Sequence, residues 1–184
     1  GDCAIETENI TGVPAQVFRS VYDDFRKDFD RGLITGAELY AKTLDFNGYK
    51  DLARDTILMK KLALMDLQSW VAVRADVTDW ALFLKQQGYK LGILSNMPYE
   101  FLDLYEKDIA LFTHADYAVF SCRVKLIKPD KEIYFEALRG LGVQPHEAVF
   151  FDDIQENIDA ANALGIHGIL WTGLEKAQKD WQHI

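Results

Sequence analysis

The stretch Ala148-Val149-Phe150-Phe151-Asp152-Asp153 decides how this sequence folds. An unbroken apolar run closed by carboxylates fits a strand buried on both faces. Two adjacent carboxylates at its end repel each other unless a cation, a proton or water separates them. At a buried strand end a hard divalent ion answers that repulsion, and magnesium prefers such oxygen ligands. The alternative is that Asp153 caps the following helix while Asp152 faces solvent. Asn157 falls in the next turn, within reach of the acidic pair.

The same rhythm extends in both directions. Strand-like runs at 90–95, 117–121, 148–152 and 166–171 alternate with helix-like stretches at 98–108, 130–139, 155–164 and 173–181. Such alternation predicts right-handed crossovers and an α/β fold, a Rossmann-like parallel sheet with helices on both faces. Ligands of such sheets collect at the carboxyl ends of the strands. Before Gly88 the pattern is helical almost throughout. Val13, Val17, Phe18, Val21, Tyr22 and Phe25 recur at three-to-four-residue spacing, and Asp30-Arg31-Gly32 breaks that helix. Thr35 opens the next one, with Glu38 three residues on as a capping box. Further helices are expected over 48–66 and 76–87.

Two more strand ends carry candidate chemistry. Leu91-Gly92-Ile93-Leu94 ends in Ser95-Asn96, where a hydroxyl and free backbone N–H groups can hold a phosphate oxygen; Ser95 can equally cap the next helix. Lys128-Pro129-Asp130 opens a helix with proline in its first turn. Lys128 either projects its ammonium toward the strand ends, offsetting charge on a phosphoryl group, or is a solvated surface lysine.

Composition limits the partners. With 20 basic against 29 acidic residues the net charge is −9, which repels nucleic acid and anionic membrane, and no basic cluster reverses it locally. Apolar residues make up 49%, enough for a real core. Cys3 and Cys122 stand far apart, and His114, His146, His167 and His183 are scattered, so zinc is not expected and a reduced cytoplasmic setting is. No apolar run approaches membrane-spanning length. Nothing in the sequence reads out the oligomeric state.

Taken together, the three strand ends resemble the haloacid dehalogenase-like (HAD) superfamily, in its sugar-phosphate phosphatase-like branch. Ile93-Leu94-Ser95-Asn96 is similar to its second motif, Lys128-Pro129 to its third, and Val149-Phe150-Phe151-Asp152-Asp153 with Asn157, Ala160, Ala161, Leu164 and Gly165 to its fourth. Phe29 to Thr35 resembles a turn in the helical caps of such phosphatases. The resemblance implies a remnant of a first cap helix at 1–10, a helical cap over 11–75, and an α/β core over 76–184. It also implies a magnesium-dependent phosphatase acting on a small phosphorylated metabolite through an aspartyl-phosphate. Ser95 and Lys128 would be catalytic, and Ser95, Asn96 and Lys128 would bind phosphate. Asp153 and Asp152 would hold Mg2+, with Asn157 orienting the acids. The family's first motif, a central strand ending in Asp-x-Asp, has no counterpart, and Asp2-Cys3-Ala4-Ile5 is rejected as its remnant. The chain by itself is therefore expected to be inactive, its nucleophile lying on about 20 residues outside it. The alternative is a non-catalytic HAD-like protein that binds a partner.

Overall fold

A computed structural model describes residues 2–71 and 74–183. In chain order the first helices are α1 (Cys3–Thr11), α2 (Ala15–Asp30), α3 (Gly36–Phe46), α4 (Lys50–Ala53), α5 (Thr56–Ser69) and α6 (Ala75–Gln86). Strand β1 (Gly92–Ser95) leads to α7 (Tyr99–Tyr105) and α8 (Ala110–His114), and β2 (Tyr117–Phe120) to α9 (Ser121–Val124) and α10 (Lys131–Leu141). A 3-10 turn (Pro145–Glu147) precedes β3 (Val149–Asp152), which is followed by α11 (Gln155–Ala163), β4 (His167–Leu170) and α12 (Leu174–Trp181). The chain divides into a helical unit, Gly1–Val73 with Met97–Tyr105, and an α/β unit, Arg74–Asn96 with Glu106–Ile184. The boundary expected at 75/76 adjoins residues 72–73, which lie outside the described residues, as do Gly1 and Ile184 at the outer limits of the expected domains.

The helical unit is built on one buried stripe. Phe18, Leu39, Tyr40, Leu44 and Leu62 are completely shielded from solvent, and the rings of Phe18, Tyr22 and Tyr40 pack at 5.1–5.9 Å. The capping box forms as the sequence predicts. Glu38 N donates to Thr35 Oγ1 at 3.2 Å, and Thr35 N donates to Glu38 Oε2 at 2.7 Å. Gly36 N, another donor of that first turn, is satisfied by Glu100 Oε1 of α7 at 2.7 Å. Phe101 and Leu102 are buried, and Phe101 stacks on Trp70 at 6.0 Å. The helix expected over 48–66 is two helices. Asp55 accepts from Ile57 N at 3.1 Å and Leu58 N at 2.9 Å, so it caps a new start instead of continuing the old helix.

The α/β unit contains parallel strands, but in two pairs instead of one sheet. β1 pairs with β2, with Gly92 opposite Tyr117 and Ser95 opposite Phe120. β3 pairs with β4, with Val149 opposite His167 and Asp152 opposite Leu170. Among the described residues β1 and β3 each pair on one side only. The pairs share a core. Leu94 of β1 and Phe150 of β3 both pack against the cluster formed by Val119, Ile133, Tyr134, Leu138, Ala161 and Ile166. Helix α10 supplies the middle of that cluster. It lies so close to β2 that a Cβ on Gly140 would fall 2.0 Å from the Tyr117 ring.

Gly36 tests how tightly α3 and α5 pack. Alanine normally stabilises a helix by about 1 kcal/mol relative to glycine. Here a Cβ would meet the Ala63 Cβ at 2.9 Å, with the Phe29 ring at 3.4 Å behind it. G36A is therefore expected to lower unfolding free energy by about 1–3 kcal/mol, the cost of overpacking, as measured by urea denaturation. A stabilised G36A protein would show that the two helices can spread without loss.

Candidate active site

All four strands run parallel within their pairs, and Lys128 joins the carboxyl ends of β1 and β3. Its Nζ donates to Leu94 O at 3.1 Å and to Asp152 Oδ2 at 2.5 Å. The two side chains retain only 10% and 5% of their exposure, so this is a buried ion pair and not a solvated lysine. The ammonium also lies 5.4 Å from the centre of the Phe150 ring.

Strand alternation explains why the Leu94 carbonyl is available. Leu91 O accepts from Asp116 N at 2.8 Å, on the β2 side. Carbonyls alternate along a strand, so Leu94 O points the other way, to the unpaired edge. On β3, Ala148 O and Asp152 O accept from His167 N and Trp171 N at 3.0 and 2.8 Å, which leaves the Val149 and Phe151 carbonyls on its open edge.

The two adjacent acids differ in burial: Asp152 closes β3, and Asp153 lies in the bend beyond it. Asp152 is buried, and both of its oxygens are engaged: Oδ2 by Lys128, Oδ1 by Ile154 N and Asn157 Nδ2, each at 2.9 Å. Asn157 is buried as well, and its carbonyl accepts the Tyr134 hydroxyl at 2.9 Å. Burial, with the Asp152 charge nearby, pushes the Tyr134 hydroxyl above its ordinary value, so it stays a proton donor. Asp153 is exposed at the same strand end, and its carboxylate makes no hydrogen bond or ion pair among the described residues. The capping alternative thus takes a reversed form: Asp152, the inner acid, receives the first free N–H of the turn into α11.

Ser95 closes β1 half-buried, and its hydroxyl is unengaged among the described residues. Both polar atoms of the Asn96 amide are engaged by Lys128. Nδ2 donates to Lys128 O at 3.1 Å, and Oδ1 accepts from Lys128 N at 2.8 Å. Of the predicted phosphate ligands, Asn96 has its side chain turned to the Lys128 backbone. The structure brings Ser95, Asn96, Lys128, Asp152 and Asn157 into one connected neighbourhood, with Asp153 at its rim. Sequence reasoning did not find the Leu94 carbonyl or Tyr134. Leu94 contributes a backbone atom, which no side-chain pattern signals.

Among the described residues no group of three or more His, Cys, Asp or Glu side chains is placed to hold a metal. Asp153 fits magnesium as a single carboxylate ligand, because that ion commonly keeps several waters and takes one or two carboxylates beside phosphate oxygens. Asp152 already accepts three hydrogen bonds, from Lys128, Ile154 N and Asn157.

Residues 5–165 match the family model for haloacid dehalogenase-like hydrolases, and the chain belongs to that family. It is 31% identical over 111 residues to bifunctional epoxide hydrolase 2 of Mus musculus, a match over 56% of this chain and 20% of that protein. It is 35% identical over 88 residues to the phosphorylated carbohydrates phosphatase of Thermotoga maritima, over 47% of this chain and 40% of the relative. The chain thus spans a fifth to two fifths of these relatives' lengths. The crystal structure of the Bacteroides thetaiotaomicron HAD family enzyme bt-2542, in complex with magnesium and inorganic phosphate, superposes with a TM-score of 0.67. That likeness covers 99% of this chain and 89% of the other at 21% identity, and it bears on the fold.

The ion pair has a direct test. Removing one partner of a buried pair leaves an uncompensated charge and costs about 3–5 kcal/mol. K128M is expected to lose about 3 kcal/mol in denaturant unfolding at pH 7, at the low end because Asn157 and Ile154 N still hold Asp152. The double variant K128M/D152N, with no orphaned charge, is expected to recover part of that loss. No recovery would mean that the pair is not the source of the stability.

Proposed function

We propose that the chain is the larger part of a magnesium-dependent phosphatase acting on a small phosphorylated metabolite. The observation that carries this is the Lys128 ammonium, fixed between the ends of β1 and β3 with the unengaged hydroxyl of Ser95 and the unengaged carboxylate of Asp153 at those same ends. Ser95 and the backbone N–H groups that follow it would hold phosphoryl oxygens, and Lys128 would offset their charge. Asp153 would hold magnesium, which when bound supplies positive charge to those oxygens. The match to a carbohydrate phosphatase supports a small phosphorylated substrate. No helix among the described residues is long and apolar enough to cross a membrane. The unpaired Cys3 and Cys122 thiols support a reduced, cytoplasmic setting.

The chain's own carboxylates do not supply the nucleophile. Asp152 is spent on Lys128, and Asp2 is the N-cap of α1, accepting from Ala4 N and paired with Arg19. Asp28-Phe29-Asp30 has the Asp-x-Asp spacing but is helical. The open edges of β1 and β3 suit an additional strand, and an aspartate at its end would arrive beside Lys128. That carboxylate would attack phosphorus, release the alcohol and form an aspartyl-phosphate, which water then hydrolyses. The helical unit would act as the cap that excludes water and selects substrates.

The test compares the 184-residue chain with the same chain extended by an apolar strand ending in Asp-x-Asp. Both are expected to bind inorganic phosphate in the presence of magnesium, as measured by calorimetry. Only the extended chain should hydrolyse a chromogenic aryl phosphate, by at least about a thousandfold over the shorter one. Equal rates would place the nucleophile within the chain. Phosphate binding without turnover in either form would favour a non-catalytic, ligand-binding role.

A further inference from the structure

Asn96 follows the strand end at which phosphate would bind, yet its side chain serves another residue. Both of its polar atoms face the backbone of Lys128, 32 positions downstream: Oδ1 accepts from Lys128 N at 2.8 Å, and Nδ2 donates to Lys128 O at 3.1 Å. An amide that bonds both the N–H and the C=O of one residue fixes its position and orientation together, because either bond alone would still allow the residue to pivot. The far end of the same residue is held by Leu94 O at 3.1 Å and Asp152 Oδ2 at 2.5 Å. Lysine has a flexible four-carbon stem, so its ammonium is placed only when both root and tip are fixed.

We propose that Asn96 is a positioning residue, which sets where the Lys128 ammonium stands between the two strand ends. The root of Lys128 has no other side-chain partner at these atoms among the described residues. Asn96 and Leu94 flank Ser95 on one strand end, so a single short segment holds both ends of Lys128. The inference rests on the phosphatase reading for its importance to the reaction, but the geometry stands without it.

The test uses the whole 184-residue chain and two readouts. The first is the side-chain NMR resonance of Lys128 Cε and Nζ, assigned by comparison with K128R. The second is affinity for inorganic phosphate with magnesium. N96A is expected to move the Lys128 resonance toward that of a solvent-exposed lysine and to weaken phosphate binding about 10–100-fold, the range seen when a supporting partner of a site residue is lost. N96S, whose hydroxyl can both donate and accept, should lie between N96A and the wild type, and it decides the matter if N96A does not fold. A purely structural role would lower the melting temperature while leaving the Lys128 resonance and phosphate affinity unchanged in the folded variants. That result would overturn the proposal. A wild-type chain that binds no phosphate would instead count against the phosphatase reading, and the Lys128 resonance would still decide the role of Asn96.

Discussion

A lysine placed between two strand ends organises the α/β unit. Lys128 is the only residue seen to bond the ends of both β1 and β3 among the described residues, through Leu94 O and Asp152 Oδ2. The strand pairs also share the apolar cluster around Tyr134, but an apolar contact is non-directional and does not fix the register of two edges. The ion pair is directional, and its burial makes it costly to leave half-made. That constraint extends outward. Asn157 and Ile154 N satisfy the other oxygen of Asp152, and Asn157 is anchored in turn by the Tyr134 hydroxyl.

Much of this was legible in the sequence, and particular residues show why. The run Val149–Asp152 is apolar with no helical period, so a buried strand was the natural reading. Thr35 and Glu38 are a local device, complete within four residues, and form as expected. Asp55 is equally local, but apolar residues on both sides extend the helical pattern and hide the cap. The pairing of strands was less accessible. Alternation of strands and helices predicts parallel pairing without saying which edges meet, and among the described residues β1 and β3 each pair along one edge only. The role of Asn96 could not be read, since a side-chain amide has no preferred partner until the chain brings Lys128 to it.

The segment after Asn96 illustrates how packing overrides a local rhythm. Residues 98–108 follow β1 as a crossover helix should, yet 97–105 group with the helical unit. Phe101 and Leu102 find their apolar partners there, and Glu100 satisfies the first turn of α3. The chain therefore leaves the strand end proposed to hold phosphate and passes at once into the unit proposed as the cap. Burial of two large side chains there contributes about 1.5–3 kcal/mol each.

Charge is one argument for the divalent ion proposed at these strand ends. Asp152 and Lys128 cancel, and Asp153 leaves the strand ends with one net negative charge. A phosphate monoester brings about −1.5 to −2 more at neutral pH. Lys128 is already shared with a carboxylate, so it cannot alone offset both Asp153 and the phosphoryl oxygens. Helix and strand N–H groups at Ser95–Asn96 contribute only partial charges. An ion of charge +2 seated on Asp153 would reduce the sum to about −0.5 to −1 without breaking the Lys128–Asp152 pair. The same balance explains how a protein with a net charge of −9 can receive an anion: what matters is the charge within a few ångströms, where screening is weakest, and not the total.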